Sequence, residues 1–150
     1  MGYERILVPI SGGKADEEAI KIACLLSKKA KGKIEIVYVI KVRRTLPLEA
    51  QIDPEIRKGE ETLDRASTMA DQEDCTAETE MLQAREIGPA IVEEAVEKGV
   101  DLIVIGLDYK RRFGEFSLGN VVPQVLRDAP CRVIVCREPA PASDTTAQSE

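Results

Sequence analysis

Two glycine-bearing segments carry the residue types suited to holding a phosphate: Ser11-Gly12-Gly13-Lys14 near the start, and residues 106–120, which include Gly106 and Gly119. Glycine lets the backbone approach an anion closely, and a helix starting just after it adds amide donors and a favourable dipole. The first segment is no P-loop, because that motif ending at Gly13-Lys14 needs a glycine at Val8 and a hydroxyl at Ala15. A dinucleotide Gly-x-Gly-x-x-Gly fingerprint is also absent there. Six cations stand near these segments: Lys41, Arg43, Arg44, Lys110, Arg111 and Arg112. A guanidinium can pair bidentately with phosphate oxygens, although charge runs usually form solvated faces. Asp16 and Asp108 are the acids that a hydrolytic reaction would recruit to hold a water.

Other chemistries are excluded by what is missing. The chain has no His, which rules out a Ser-His-Asp triad and imidazole acid-base catalysis within it. Cys24, Cys75, Cys131 and Cys136 lack zinc-ligand spacing and read as buried thiols in a reducing, cytoplasmic setting. A net charge of −6 opposes a surface shaped for nucleic acid. The opening MGYERILVPI does not read as a signal peptide, and no run approaches a membrane span, so no membrane partner is expected.

The elements that must position these residues follow from periodicity. Residues 5–10, 34–40, 101–106 and 132–136 are short, β-branched and almost wholly apolar, as strands buried on both faces require. A weaker alternating strand over 75–83 suits a sheet edge. Between them run helical stripes: Ala15, Ala19, Ile22, Ala23, Leu26 and Ala30; then Ile56, Leu63, Ala66 and Ala70. Ile87, Ala90, Ile91 and Ala95 form a third stripe, closed by Gly99; Val121, Val122, Val125 and Leu126 form a fourth. This alternation implies an α/β fold: an open, doubly wound, mostly parallel five-stranded sheet, Rossmann-like, with right-handed crossovers and helices on both faces. Residues 3–137 form one domain, 41–53 a loop, and 138–150 a disordered tail rich in Pro, Ser, Thr and Ala.

Ligands of such a sheet bind outside the carboxyl ends of its strands, where strand order reverses. That directs attention to 11–16, 39–44 and 106–120. Cys131 and Cys136, an odd five positions apart, should lie on opposite faces of the sheet.

From ILVPISGGKADEEA, through REIGPAIVEEAVEKGVDLIVIG, to LGNVVPQVLRDAPCRVIVCRE, the chain resembles the universal stress protein family over about residues 3–137. The resemblance implies the strand order 3-2-1-4-5. Nucleotide-binding members carry an Asp after strand one and Gly-x₂-Gly-x₉-Gly-Ser/Thr from strand four into the last helix. Gly106 and Gly119 match, and Val39 stands where the family contacts adenine. The Asp is Ser11 here, the second Gly is Tyr109, and the Ser/Thr is Asn120.

Ser11 keeps one neutral hydrogen bond in place of a charge-assisted one, about 1 against roughly 1.5–3 kcal/mol. Asn120 is a good N-cap and would cap the last helix. Tyr109 would either fill the phosphate site or send the loop on another course, offering Lys110, Arg111 and Arg112. The expected site is thus Pro9, Ile10, Ser11, Val39, Ile105, Gly106, Tyr109, Arg111, Arg112, Gly119, Asn120 and Val121, with ATP or AMP plus Mg²⁺ as ligand.

The expected role is a stress-response regulatory module that binds nucleotide without catalysis. One alternative is an interaction module of the same fold that has lost the nucleotide; the other is a slow ATPase or a relative of the ATP pyrophosphatases. The latter resemblance rests on the SGG loop, but Asp16 falls one residue late and no Ser follows it, which fits a plain strand-to-helix turn. Family members commonly dimerise through the last strand, so residues 132–136 would form a homodimer interface, with Arg132 and Arg137 at the strand's ends.

Overall fold

The computed structural model describes residues 3–109, 111–112, 115–116 and 119–140. β1 (Arg5–Ile10), β2 (Lys33–Lys41), β3 (Ala77–Ala84), β4 (Leu102–Leu107) and β7 (Arg132–Arg137) form one sheet in the order β3-β2-β1-β4-β7, every pairing parallel. This is the expected five-stranded 3-2-1-4-5 sheet, with β7 as its fifth strand. β1 sits at the centre, and the order reverses on either side of it.

The apolar runs are continuous because both faces are covered. Ile6, Val8, Ile36, Leu102 and Val104 pack with Ile20 and Ala23 of α1 (Ala15–Ala30) and Ala66 of α2 (Asp53–Gln72). Leu7, Val37, Ile103 and Ile105 pack with Ile91 of α3 (Ile87–Glu97) and Val125 of α4 (Val121–Asp128). Alternate residues of one strand thus feed two cores, which anchors register firmly.

Two helical stripes are corrected. On α1 the buried face is Ala15, Asp16, Ala19, Ile20, Ala23, Cys24 and Ser27, while Ile22, Leu26 and Ala30 are only half-buried at its flank. Asp16, Cys24 and Ser27 lie on the buried line and disguise it as a polar one. On α4, Val122 and Val125 are buried but Leu126 is 53% exposed. Gly99, with φ +62°, ends α3 as expected.

The loop after β2 has a fixed course. Val42 N–H donates to the Ala84 carbonyl at 2.8 Å, prolonging the β2–β3 ladder. Arg85 then donates to the carbonyls of Arg43 (2.6 Å) and Leu46 (2.8 Å), and Gln83 to those of Leu48 (2.9 Å) and Ala50 (2.8 Å). Within 106–120 the chain forms a short antiparallel pair, β5 (Arg111–Arg112) with β6 (Glu115–Phe116), that no periodicity announces. The expected tail lies outside the described residues from 141 on; Glu138 N–H still donates to the Leu107 carbonyl at 2.9 Å, one step past β7.

All four cysteines are free thiols. Burial, then the neighbouring Cys75, pushes the Cys24 thiol up to about 12, which leaves it unreactive as a nucleophile at neutral pH. Cys136 packs toward α1 and Cys131 toward α3 and α4, on opposite faces. No helix among the described residues is long and apolar enough to cross a membrane.

Candidate functional site

A cavity of about 790 Å³ opens at the carboxyl ends of β1, β2 and β4, beside the start of α4. β1 contributes Pro9 and Ile10, with Ser11 just beyond; β2 contributes Val39; β4 contributes Ile105 and Gly106. Gly119, Asn120 and Val121 close it where α4 begins. Nine of the twelve residues singled out from the sequence therefore share one cavity.

The other three do not join that wall as described. Tyr109 is not among the lining residues: its N–H donates to Glu138 Oε1 at 2.9 Å, and the Arg137 guanidinium lies 5.1 Å from its ring centroid. Of the two alternatives for Tyr109, filling the phosphate site or sending the loop on another course, the first finds no support: Glu138 holds its backbone, Arg137 lies over its ring, and it does not line the cavity. Arg111 and Arg112 are described only as backbone of β5, and Lys110 lies outside the described residues. Lys41, Arg43 and Arg44 are exposed and do not line the cavity. Arg132 donates to the Tyr3 hydroxyl at 3.1 Å and Arg137 to the Glu138 carbonyl at 3.0 Å, so both strand-end arginines have partners within the chain.

The two glycines owe their places to different causes. A Cβ on Gly106 would stand 2.6 Å from the Ala15 carbonyl oxygen and 2.9 Å from Ala15 Cβ. Gly106 thus lets α1 start directly against the end of β4. Gly119 has φ +68° and open space around it, so there the backbone conformation selects glycine.

The Ser11-Gly12-Gly13 loop is closed by the protein's own carboxylates. Asp16, in the first turn of α1, accepts from Gly12 N–H at 2.8 Å and from Ser11 N–H at 3.3 Å. Asp108 Oδ1 accepts from Ala15 N–H at 2.9 Å, and a Cβ on Gly13 would collide with the Asp108 carboxylate. Gly12, at φ +92°, supplies the turn. Burial raises Asp16 above the usual carboxylate range; the Gly12 and Ser11 N–H groups oppose that, and nearby Asp108 adds to it. The SGG segment is therefore a strand-to-helix turn whose amides face carboxylates.

The start of α4 differs. Asn120 occupies the N-cap position with φ −116° and ψ −17° and makes no side-chain capping bond, contrary to expectation, because its αR backbone departs from the extended geometry a capping side chain needs. Gly119 and Asn120 are both exposed. Among the helix N-termini at the cavity, α1 already faces two carboxylates, α3 brings its first residue Ile87, and α4 meets it with a glycine and an amide side chain.

Several wall residues were not legible as such: Tyr38, Lys58, Ile87, Ile91, Leu107 and Val122, with Asp16 and Asp108 marked only as candidate acids. Lys58 is the one cation lining the cavity among the described residues. It reaches that position because Gly59 brings α2 close to the sheet, where an added Cβ would stand 2.9 Å from Tyr38 Cδ1 and Met81 Cε. Among the described residues no three His, Cys, Asp or Glu side chains converge to hold a metal.

The profile of the universal stress protein family matches residues 2–137, and the chain belongs to that family. A universal stress protein of Methanocaldococcus jannaschii is 31% identical over 143 residues, covering 91% of this chain and 84% of its own. A universal stress protein of Archaeoglobus fulgidus superposes with a TM-score of 0.76 at 24% identity, covering 89% of this chain and 98% of its own. An Archaeoglobus fulgidus universal stress protein solved in complex with dAMP gives a TM-score of 0.72 at 24% identity, covering 90% and 98%.

Proposed function

We propose that this chain is a regulatory module that binds an adenine nucleotide, ATP or AMP, and that binding, not turnover, is its purpose. The observation that carries the reading is the asymmetry of the cavity. Its α4 end, with Gly119 and Asn120, suits a phosphate. Val39, Ile87 and Ile105 offer apolar surface to a base, and Ser11 offers a hydroxyl to a ribose. The dAMP complex of the Archaeoglobus fulgidus protein supports a ligand of this class. Mg²⁺ would arrive with a triphosphate, as the counter-ion of the ligand. Both acids that hydrolysis would recruit accept backbone N–H bonds, which argues against a general base. Free thiols are consistent with a reducing cytoplasm.

Isothermal titration with ATP, ADP and AMP plus magnesium tests the reading. Micromolar binding is expected, weakened at least about tenfold, roughly 1.4 kcal/mol, by Gly119→Val, which forces a β-branched residue into a positive φ. Heat-free titrations at millimolar nucleotide would overturn it and leave an interaction module.

The second reading, association through β7, draws on the sheet order. β7 pairs only with β4 among the described residues, so its outer edge is open. The homodimer would join two such edges across a two-fold axis. Sedimentation equilibrium should return twice the chain mass; a monomer at micromolar concentration rejects the dimer.

A further inference from the structure

Glu35 of β2 and Glu94 of α3 meet beneath the helix layer, away from the nucleotide-sized cavity. Val37 and Val39 enter the core under α3 and α4, and Glu35, two positions before Val37, points to the same side. Glu94 is 5% exposed, between buried Ile91 and buried Ala95. One oxygen of each, Glu35 Oε2 and Glu94 Oε2, is buried with no hydrogen-bond partner among the described residues. Two ionised carboxylates left so would be strongly unfavourable, whereas one proton shared between them supplies a donor and removes a charge.

The surroundings supply little positive charge to replace that proton. Just past the end of α3, Lys98 Nζ stands 3.8 Å from Glu35 Oε1. From β3, Glu78 lies beside Glu35 in the ladder and Glu80 beside Val37. From β1, Arg5 donates its guanidinium to the Lys98 carbonyl at 2.9 Å, and Lys33 flanks Glu35 on its own strand. Asp101, at the start of β4, accepts from Glu4 and Arg5 N–H groups. α4, packed on α3, carries Arg127 and Asp128, which pair with each other at 2.9 Å and are exposed.

We propose that Glu35 and Glu94 share one proton and form a pH-dependent clasp that holds α3 on the sheet, loosening the helix when the proton leaves. Burial first, then the Glu94 carboxyl beside it, pushes Glu35 from 4.5 up to about 8, while Lys98 pulls the other way. The folded state therefore binds the proton more tightly than the unfolded chain. The clasp is at full strength below 4.5 and is lost as pH rises toward about 8. Because Ile87 and Ile91 of the same helix line the cavity, loosening α3 also loosens that wall. The inference concerns the helix and stands whether or not a nucleotide fills the crevice.

Hydrogen exchange on the ligand-free protein tests it without reference to nucleotide. Between pH 5 and 8, the opening constant of α3 amides, corrected for intrinsic exchange, should rise by up to about tenfold per pH unit, while amides that exchange through local openings leaving Glu35 and Glu94 buried hold steady. Glu35→Gln, close in shape to the original, should flatten that rise, and Glu94→Gln, which leaves Glu35 its burial, should reduce it. An α3 profile that is flat in the wild type, or unchanged by both variants, overturns the clasp. Should neither variant fold, carboxyl ¹³C titration of the wild-type protein decides: one glutamate titrating near 8 supports the clasp, and all glutamates titrating at ordinary values refute it.

Discussion

A Gly106→Val variant is expected to melt about 6–12 °C below the parent protein. The added Cβ alone would stand 2.6 Å from the Ala15 carbonyl oxygen and 2.7 Å from its carbon. Backbone atoms at the start of α1 cannot swing aside as a flexible side chain would, so the collision is relieved only by moving the helix off β4. Overpacking of this kind costs about 3 kcal/mol, and each kcal/mol shifts the midpoint of a domain this size by roughly 2–4 °C. Thermal denaturation followed by circular dichroism measures it. A Gly106→Val protein as stable as the parent would show that the start of α1 is not tied to the end of β4. Gly119→Ala makes the contrast: nothing stands within 4 Å of its would-be Cβ, so only the φ of +68° opposes it, about 1 kcal/mol.

Ile91→Ala should cost about 3–4 kcal/mol, because its side chain is 1% exposed in the core under α3 and α4. The loss is expected to appear twice. Chemical denaturation reports the cavity left between α3 and the sheet, and nucleotide titration reports the withdrawal of one wall of the crevice that Ile91 also lines. Leu126→Ala, at a residue 53% exposed on α4, is the control and should stay within about 0.5 kcal/mol. Equal losses at the two positions would mean that Leu126 is buried in solution by something other than the described residues.

The strands were legible because burial on both faces leaves their sequences almost free of polar residues, and RILVPI and LIVIG can hardly serve otherwise. Sheet order came from family resemblance and the centre of the sheet, β1, from that order. The cavity was legible in the same measure, since Gly106 and Gly119 lie at the strand and helix ends that a doubly wound sheet turns toward its ligand.

What escaped reading depends on contacts distant in sequence. Lys58 lies on the charge-rich helix α2 and looks like any solvated lysine until Gly59 lets the helix approach Tyr38. Asp108 became a cap for Ala15, ninety-three positions away. Nothing in the sequence singles out Glu35 or Glu94, and only the packing of α3 on β2 buries them together. The α1 stripe was misread because Asp16 faces inward to hold its own loop and not outward to water.

The unequal helix starts have one more consequence. Asp16 and Asp108 stand at one end of the crevice, with Lys58 among its lining, and Gly119 and Asn120 stand at the other. The α1 start already holds two carboxylates, so of the two helix starts it is the poorer host for an anion, and α4 the better one.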